Sequence, residues 1–103
     1  MVKPNRVYVS NMISHFSGKK VANQFEISTD DGIYFQSYKH VIAFVPFDNS
    51  KPILLDYAHN LSREESQVWS MTTSKYRKQF LGTDNKETRE RIKQGHYQLA
   101  ELN

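Results

Sequence analysis

The stretch VANQFEISTDDGIYFQSYKHVIAFVPF, residues 21–47, decides the fold because it holds three strand patterns in succession. Apolar and polar residues alternate in 21–29, which is the period of a half-buried strand. Its apolar parity holds Val21, Phe25 and Ile27. A second pattern covers 33–38. Residues 40–47 are apolar at both parities, as in a strand covered on both faces, and Pro46 marks its end or an edge position.

The loop between the first two patterns determines which side chains share a face of the sheet. A two-residue loop, Asp31-Gly32, would place Ile27 opposite Gln36. A three-residue loop with Gly32 in the left-handed conformation places Ile27 opposite Phe35 instead. Because the second arrangement keeps apolar residues on one face, we predict the three-residue loop.

Further strands are predicted on either side of this stretch. Residues 6–10, RVYVS, and 51–57, KPILLDY, have strand patterns, and the second follows the turn Asp48-Asn49-Ser50. HYQLAEL, residues 96–102, alternates again and adds a last strand. The predicted fold class is α+β, with a mainly antiparallel sheet of about four to six strands and two or three short helices in the C-terminal half.

The segment between the sheet and the most basic region predicts a short helix. Ser62 and Glu65 have the spacing of a capping box, which opens a helix that runs to Trp69. Trp69 is the single tryptophan of the chain. Two roles stay open for it: core or hinge packing, and an exposed anchor at an interface.

Two more helices are predicted after Trp69, and each has its own start and stop signals. Thr72 or Thr73 caps the first, which covers about 74–81, and Gly82 suits its end.

The second of these helices has a box-like start. Asp84 and Glu87 repeat the spacing of a capping box and open a helix over about 85–94. Gly95 suits its end, because glycine adopts the left-handed conformation that stops a helix.

Length and composition predict one domain over residues 1–103. The chain has 38% apolar and 13% aromatic residues, which supply a modest core. It has no cysteine, so disulfide and thiolate chemistry are excluded. The N-terminus lacks an apolar leader, and no apolar run approaches a membrane span. We therefore expect a soluble cytoplasmic protein with no membrane partner.

Three segments carry a resemblance to a known family: IYFQSYKHVIAF, SMTTSKYRKQFLG and ETRERIKQGHYQLAELN. They resemble an uncharacterised domain family of small proteins from phages and phage-rich bacterial genomes. Its members share an aromatic-Ser-Tyr element before an Ile-Ala strand, a Thr-Thr-Ser-Lys helix start, a Phe-Leu-Gly stop and a Glu-Thr-Arg helix. The resemblance covers about residues 33–103, with a longer stretch at 56–69, and leaves the first 30 residues unmatched. It implies a phage or mobile-element context and assigns no activity and no catalytic residue.

The titratable residues form no recognisable catalytic or metal-binding motif. The histidines are spread along the chain without the spacing of a helical metal site: His15, His40, His59 and His96. Whether they converge in space stays open. Asp30-Asp31 suits a turn, and Glu64-Glu65 suits a first helical turn. We therefore expect a non-enzymatic protein with no catalytic residue, no metal site and no cofactor.

Residues 75–93 are the most basic part of the chain, with a net charge of +4 against +3 for the whole. The seven cations of this region are the candidate contacts for a partner or for nucleic acid: Lys75, Arg77, Lys78, Lys86, Arg89, Arg91 and Lys93. Helical spacing predicts that the lysines of the first helix share one face, while Tyr76 and Phe80 form its buried side.

On the second helix, Lys86, Arg89 and Lys93 share a face at i, i+3 and i+7. Two interpretations of these cations stay open. In one they solvate the outer sides of two amphipathic helices. In the other they form a patch for phosphates or for an acidic protein partner.

Two functions from different classes fit these features. The first is a phage-type inhibitor or accessory protein, of an anti-defence type, that occludes a host or defence protein or a nucleoprotein complex. The second is direct binding of DNA or RNA through the basic 75–93 face, in a regulatory role. Gly82-Thr83-Asp84 between two helices also fits a helix-turn-helix, with Arg89 near base edges.

A homodimer is a further expectation about partners. It would form by strand addition if the VPF segment, 45–47, or the strand at 53–57 lies at a sheet edge.

Overall fold

The structure, a computed structural model, describes residues 6–56 and 71–103. The described elements are β1 (Tyr8–Ile13), β2 (Lys20–Ser28), β3 (Gly32–Ser37), β4 (His40–Pro46), β5 (Ile53–Leu55), α1 (Met71–Leu81), α2 (Asn85–Lys93) and β6 (Gln98–Ala100). The predicted α+β class is confirmed, with a six-stranded, mostly antiparallel sheet and two helices in the C-terminal half.

The strands lie in the sheet in the order in which they occur in the chain. β1 to β5 pair antiparallel with their neighbours, whereas β6 pairs parallel with β5. A parallel pair needs a crossover connection, and both helices lie in the connection between β5 and β6. The first half of the chain is therefore a meander, and the helices follow it.

The core lies where α1 packs across β3. The rings of Phe35 and Phe80 stack with centroids 5.6 Å apart, and the hydroxyls of Ser37 and Thr73 are 2.8 Å apart. Tyr76 is buried and Phe80 packs against the core, which confirms the predicted inner side of this helix. The buried cluster consists of Met12, Phe35, Ile42, Ala43, Leu54, Leu55, Tyr76 and Tyr97.

β4 is buried in its middle on both faces, as its continuous apolar pattern predicts. Its pairing with β3 skips one residue, so Ile42 has no partner there and both Ile42 and Ala43 are fully buried. Phe44 is also buried, and its ring lies 4.3 Å from that of Tyr34. β4 ends at Pro46, as predicted.

The predicted loop between β2 and β3 is wrong. Neither arrangement considered is formed, because Ile27 lies opposite Tyr34 and the turn consists of Asp30 and Asp31. Thr29 determines this turn. The Thr29 hydroxyl accepts a hydrogen bond from the backbone N–H of Asp31 at 3.2 Å. The backbone N–H of Thr29 donates a second one to the Gly32 carbonyl at 2.9 Å.

Gly32 is required for a reason other than a left-handed backbone. It belongs to β3, and its φ is not positive. A Cβ at this position would lie 2.8 Å from the Phe44 ring and closer still to the Val45 carbonyl oxygen. Glycine is therefore needed for close approach between β3 and β4.

The predicted faces of β2 hold for only part of the strand. Asn23 has a φ of +63°, and its backbone carbonyl accepts a hydrogen bond from the Tyr38 N–H at 2.7 Å. Because Asn23 is not in an extended conformation, the alternation of side chains between the two faces of β2 shifts by one residue there. Val21 and Gln24 consequently face the core, and Gln24 is fully buried. Phe25, together with Ile27, lies on the other face and is half-buried.

The predicted start of the first helix is also wrong. α1 already includes Thr72 and Thr73, and the Thr73 hydroxyl contacts Ser37 in the core rather than capping the helix. The predicted end is confirmed, because Gly82 has a φ of +75° and its N–H donates to the Lys78 carbonyl at 2.8 Å.

The signals of the second helix are confirmed at both ends. Asp84 caps α2, and its carboxylate accepts the Glu87 N–H at 2.8 Å. Gly95 follows the helix with a φ of +76°.

The predicted turn at 48–50 is also formed, and hydrogen bonds from the Ser50 side chain and backbone lower the pKa of Asp48.

The described edges of the sheet are β1 and β6, since β4 and β5 each have neighbours on both sides. Residues 53–55 of the predicted 53–57 strand lie between β4 and β6 and so are not a sheet edge, whereas the pairing of β4 with β5 covers only Ala43 and Phe44 and leaves the homodimer through 45–47 a prediction. The predicted helix through Trp69, the pair Glu64-Glu65 and His59 lie outside the described residues.

Candidate anion-binding groove

The two helices are joined by a polar contact at their connection. Arg77 is only 6% exposed, and its guanidinium donates to the Asn85 side-chain oxygen at 3.0 Å. Arg77 was predicted to be a surface contact for a partner. That prediction is wrong, because its side chain is buried where α1 meets the start of α2.

A cluster of buried hydroxyls fixes α2 against the last strand. The Thr83 hydroxyl lies 2.9 Å from the Thr88 hydroxyl and 3.2 Å from the Tyr97 hydroxyl. All three residues are buried. Short contacts between buried side chains therefore hold the start of α2 against Tyr97.

A groove of about 680 Å³ lies between α1 and α2. Four of the seven predicted cations line it, with Lys75 and Lys78 from α1 and Lys86 and Arg89 from α2. Its remaining lining among the described residues is Met71, Ser74, Asp84 and Asn85. The two sets of cations thus point into the same space.

None of these four cations forms an ion pair with a carboxylate in the described parts of the chain. Of the described residues that line the groove, Asp84 is the one acid, and its carboxylate already accepts a hydrogen bond from the Glu87 N–H. Unpaired cations of like charge repel one another, so an anion in the groove would relieve that repulsion.

Arg91 and Lys93 lie away from this groove. Arg91 forms an ion pair with Glu87 at 2.9 Å, and its guanidinium lies over the Tyr97 ring at 5.6 Å. The hydrogen bonds that Arg91 donates to the Glu87 carboxylate raise the pKa of Arg91 above its usual range. Lys93 is exposed near the end of α2 and does not line the groove.

A second concavity, of about 520 Å³, adjoins the groove and shares Lys75 and Lys78 with it. The loop between β1 and β2 supplies its other wall through His15 and Phe16. Phe16 is 87% exposed. Sequence reasoning missed this residue, although an aromatic among the turn formers of SHFSGKK, outside any strand pattern, was an available signal.

The described histidines do not come together as a metal site. Within residues 6–56 and 71–103, no three residues of the types His, Cys, Asp and Glu are placed to hold a metal ion. His15 lines the second concavity, His40 begins β4, and His96 follows α2. Of the helices in these ranges, none has the length and apolar character to cross a membrane.

Comparison with known proteins identifies one family. No curated protein and no solved structure matches the chain. A family model described as a family of unknown function, DUF8033, matches residues 7–96. The match includes most of the N-terminal segment that the resemblance to phage proteins left unmatched. Because it spans most of the 103 residues, the chain belongs to the family of unknown function DUF8033.

Proposed function

We propose that this protein is a non-enzymatic binding protein that holds nucleic acid in the groove between α1 and α2. The observation that carries the proposal is the convergence of four cations from two helices that form no ion pair with a carboxylate of residues 6–56 or 71–103: Lys75, Lys78, Lys86 and Arg89. A regulatory role fits direct binding of this kind.

The phosphate backbone is the ligand that suits such a groove. It presents regularly spaced negative charges, and cations that neutralise them release condensed counterions. Four phosphate contacts give a salt slope of about −3.6 on duplex DNA and about −2.8 on a single strand, which is roughly a 150-fold or a 50-fold loss of affinity between about 50 and 200 mM salt. Base-edge contacts are not needed for this term, so the groove itself binds without strong sequence preference.

Fluorescence polarisation with labelled DNA and RNA, single-stranded and duplex, tests this proposal. The double variant Lys78→Glu and Arg89→Glu removes one cation from each helix and should abolish binding. A matched control, Arg6→Glu with Lys51→Glu, changes the net charge equally at exposed residues that do not line the groove.

The control should retain most of the affinity. If no nucleic acid binds at low salt, the proposal fails. If both double variants lose affinity equally, net charge rather than the groove is responsible.

The edge strand β1 favours a second candidate function. Val7, Tyr8 and Val9 are 58–63% exposed, and β1 contains no charged residue and no proline. Natural sheet edges usually carry such residues, which block pairing with another chain. An uncharged edge of this kind can accept a strand from a protein partner.

We therefore propose as the second candidate a phage-type inhibitor or accessory factor that acts in the host cytoplasm. It would occlude a host or defence protein, or a nucleoprotein complex, by adding the partner's strand to β1. The resemblance to small phage proteins supports this context.

A pull-down from bacterial lysate treated with nuclease tests the second candidate. Wild type should retain a stoichiometric protein partner, and Val9→Lys, which places a charge on the edge, should lose it. Gel filtration of the purified protein shows whether β1 pairs with a second copy instead. Equal recovery by wild type and variant, or no partner at all, removes this candidate.

A further inference from the structure

We infer that the strand held in the groove is single-stranded and that one of its bases stacks on Phe16. This inference rests on the proposed nucleic-acid function and specifies that the nucleic acid bound is a single strand. The feature that carries it is an exposed aromatic ring at the end of a row of cations.

Phe16 is exposed although its backbone is firmly held. The loop from Ser14 to Lys19 is closed by a backbone hydrogen bond between these two residues at 2.9 Å. The Ser14 hydroxyl accepts the Phe16 N–H at 3.2 Å, and the Ser14 carbonyl accepts the Gly18 N–H at 2.9 Å. An apolar ring that is 87% exposed on such a constrained loop has no role in the core.

The loop is also fixed relative to α1. The Gln79 side chain donates to the Ile13 carbonyl at 2.7 Å and accepts the His15 N–H at 3.3 Å. Phe16 therefore keeps a constant position with respect to the lysines of the same helix. Preorganisation of this kind reduces the entropy that a ligand loses on binding.

The ring and the groove form one continuous surface. The Lys75 ammonium lies 5.1 Å from the centre of the Phe16 ring, and Lys75 and Lys78 line both concavities. The concavity beside Phe16, at about 520 Å³, has the size of a small-ligand site. A backbone that follows the cations from α2 to α1 would bring its next base to Phe16.

Single strands can use such a ring, and duplexes cannot. In a duplex the faces of the bases are covered by their neighbours, whereas a single strand exposes them for stacking on aromatic side chains. A stacked base adds about 5- to 100-fold in affinity, and it does so with little dependence on sequence or salt. Phe16 should therefore favour single strands over duplexes of the same length.

The full chain is tested with fluorescent twelve-nucleotide thymidine and uridine strands and with a twelve-base-pair duplex. Wild type should bind a single strand more tightly than the duplex, and the tighter of the two single strands distinguishes DNA from RNA. Phe16→Ala should lose about 5- to 100-fold on the single strand, with little change on the duplex or in the salt slope. Phe16→Trp should retain the affinity, because it preserves the aromatic face.

Phe47→Ala is the matched control. Phe47 is 59% exposed and lines a different concavity, near Asp48 and Ile53. It should bind like wild type, and thermal unfolding should show that both alanine variants are folded.

The outcomes separate the inference from the proposed function. If neither single strands nor the duplex bind, the proposed function itself fails. If the duplex binds as tightly as the single strands, or if Phe16→Ala behaves like Phe47→Ala, the groove still binds nucleic acid and the stacking inference is overturned.

Discussion

Gln24 is fully buried, and neither polar atom of its side chain has a hydrogen-bond partner among residues 6–56 and 71–103. It reaches the core because Asn23 shifts the alternation of β2. Ser37 lies directly opposite, but its hydroxyl is bonded to Thr73. A buried amide without partners costs about 1–3 kcal/mol of stability.

Replacing this amide by an apolar side chain of similar length should stabilise the fold. Gln24→Met is expected to raise the free energy of unfolding by about 1–3 kcal/mol, because it removes the desolvated amide. Urea unfolding measures the change. Gln98→Met, at an exposed position of β6, is the control and should stay within about 0.5 kcal/mol of wild type. A less stable Gln24→Met would show that the amide is needed.

Gly32 and Gly18 show that glycines are needed for two different reasons. Gly32→Ala should cost about 3 kcal/mol, the upper end for overpacking, because its Cβ would overlap the Phe44 ring. Gly18→Ala should cost only about 1 kcal/mol, since its φ is +69° but the space around it is open. Thermal or urea unfolding of both variants checks the order. Equal costs would mean that β3 and β4 can move apart.

At the scale of the elements, a buried contact between two hydroxyls joins α1 to β3 beside the aromatic pair of Phe35 and Phe80. Ser37 and Thr73 are both buried, and either hydroxyl can be the donor. If the Thr73 hydroxyl is removed, the Ser37 hydroxyl stays buried and desolvated, which costs more stability than the hydrogen bond itself contributes.

A double-mutant cycle should therefore show coupling between the two positions. Thr73→Val is expected to cost about 1–3 kcal/mol, because it leaves the Ser37 hydroxyl buried without this hydrogen bond, and Ser37→Ala about 1 kcal/mol for the lost hydrogen bond. The double variant should cost less than the two together, by about 1 kcal/mol. Additive costs in urea unfolding would show that the two hydroxyls act independently.

Local sequence signals predicted where helices end better than they predicted which residues contact each other in the fold. Asp84, Glu87 and Gly95 act within a few residues of themselves, so the sequence was sufficient to place α2. Thr73 could not be interpreted this way, because a threonine near a helix start serves equally as a cap or as a buried hydroxyl. Only the sheet that it faces decides between the two.

The same limit explains the loop between β2 and β3. Apolar matching favoured one register, but the contact of Gly32 with Phe44 and the hydroxyl of Thr29 fixed another. The contact of Gly32 depends on the neighbouring strand β4, and that of Thr29 depends on its side-chain rotamer. Neither can be predicted from the order of residues in the chain.

At the scale of the whole molecule, the sequence identified the basic region but not which cations share a surface. Seven were candidates and four converge. Arg77 does not line the groove, because it donates to Asn85, eight residues away across the helix connection. Arg91 does not line it either, because it pairs with Glu87 and lies over the Tyr97 ring. Phe16, from the N-terminal half of the chain, lines the adjoining concavity together with Lys75 and Lys78. It is too far from these lysines in the sequence for a local pattern to predict the contact.

Asp84 opposes the charge of the groove and also caps α2, and the two roles can be separated. Asp84→Asn should keep the cap, because asparagine caps as well as aspartate does. It removes the negative charge, so affinity for nucleic acid at low salt should rise by up to about fivefold, from roughly 1 kcal/mol at close range in water.

Polarisation at two salt concentrations, together with thermal unfolding, measures both roles of Asp84. Asp84→Ala is the comparison and should lose about 1 kcal/mol of stability with its cap. An affinity that is unchanged or lower in Asp84→Asn, with stability maintained, would contradict an anion in the groove.

The parallel pairing of β6 with β5 has a consequence for protein synthesis. The meander β1 to β5 is made of neighbours in the chain, so it can pair as a nascent chain leaves the ribosome. The hydroxyl of Tyr97, which contacts Thr83 at the start of α2, comes after both helices in the chain and just before β6. The side-chain contacts that hold α2 can therefore form only after Tyr97 has been synthesised, which is later than the pairing of the meander.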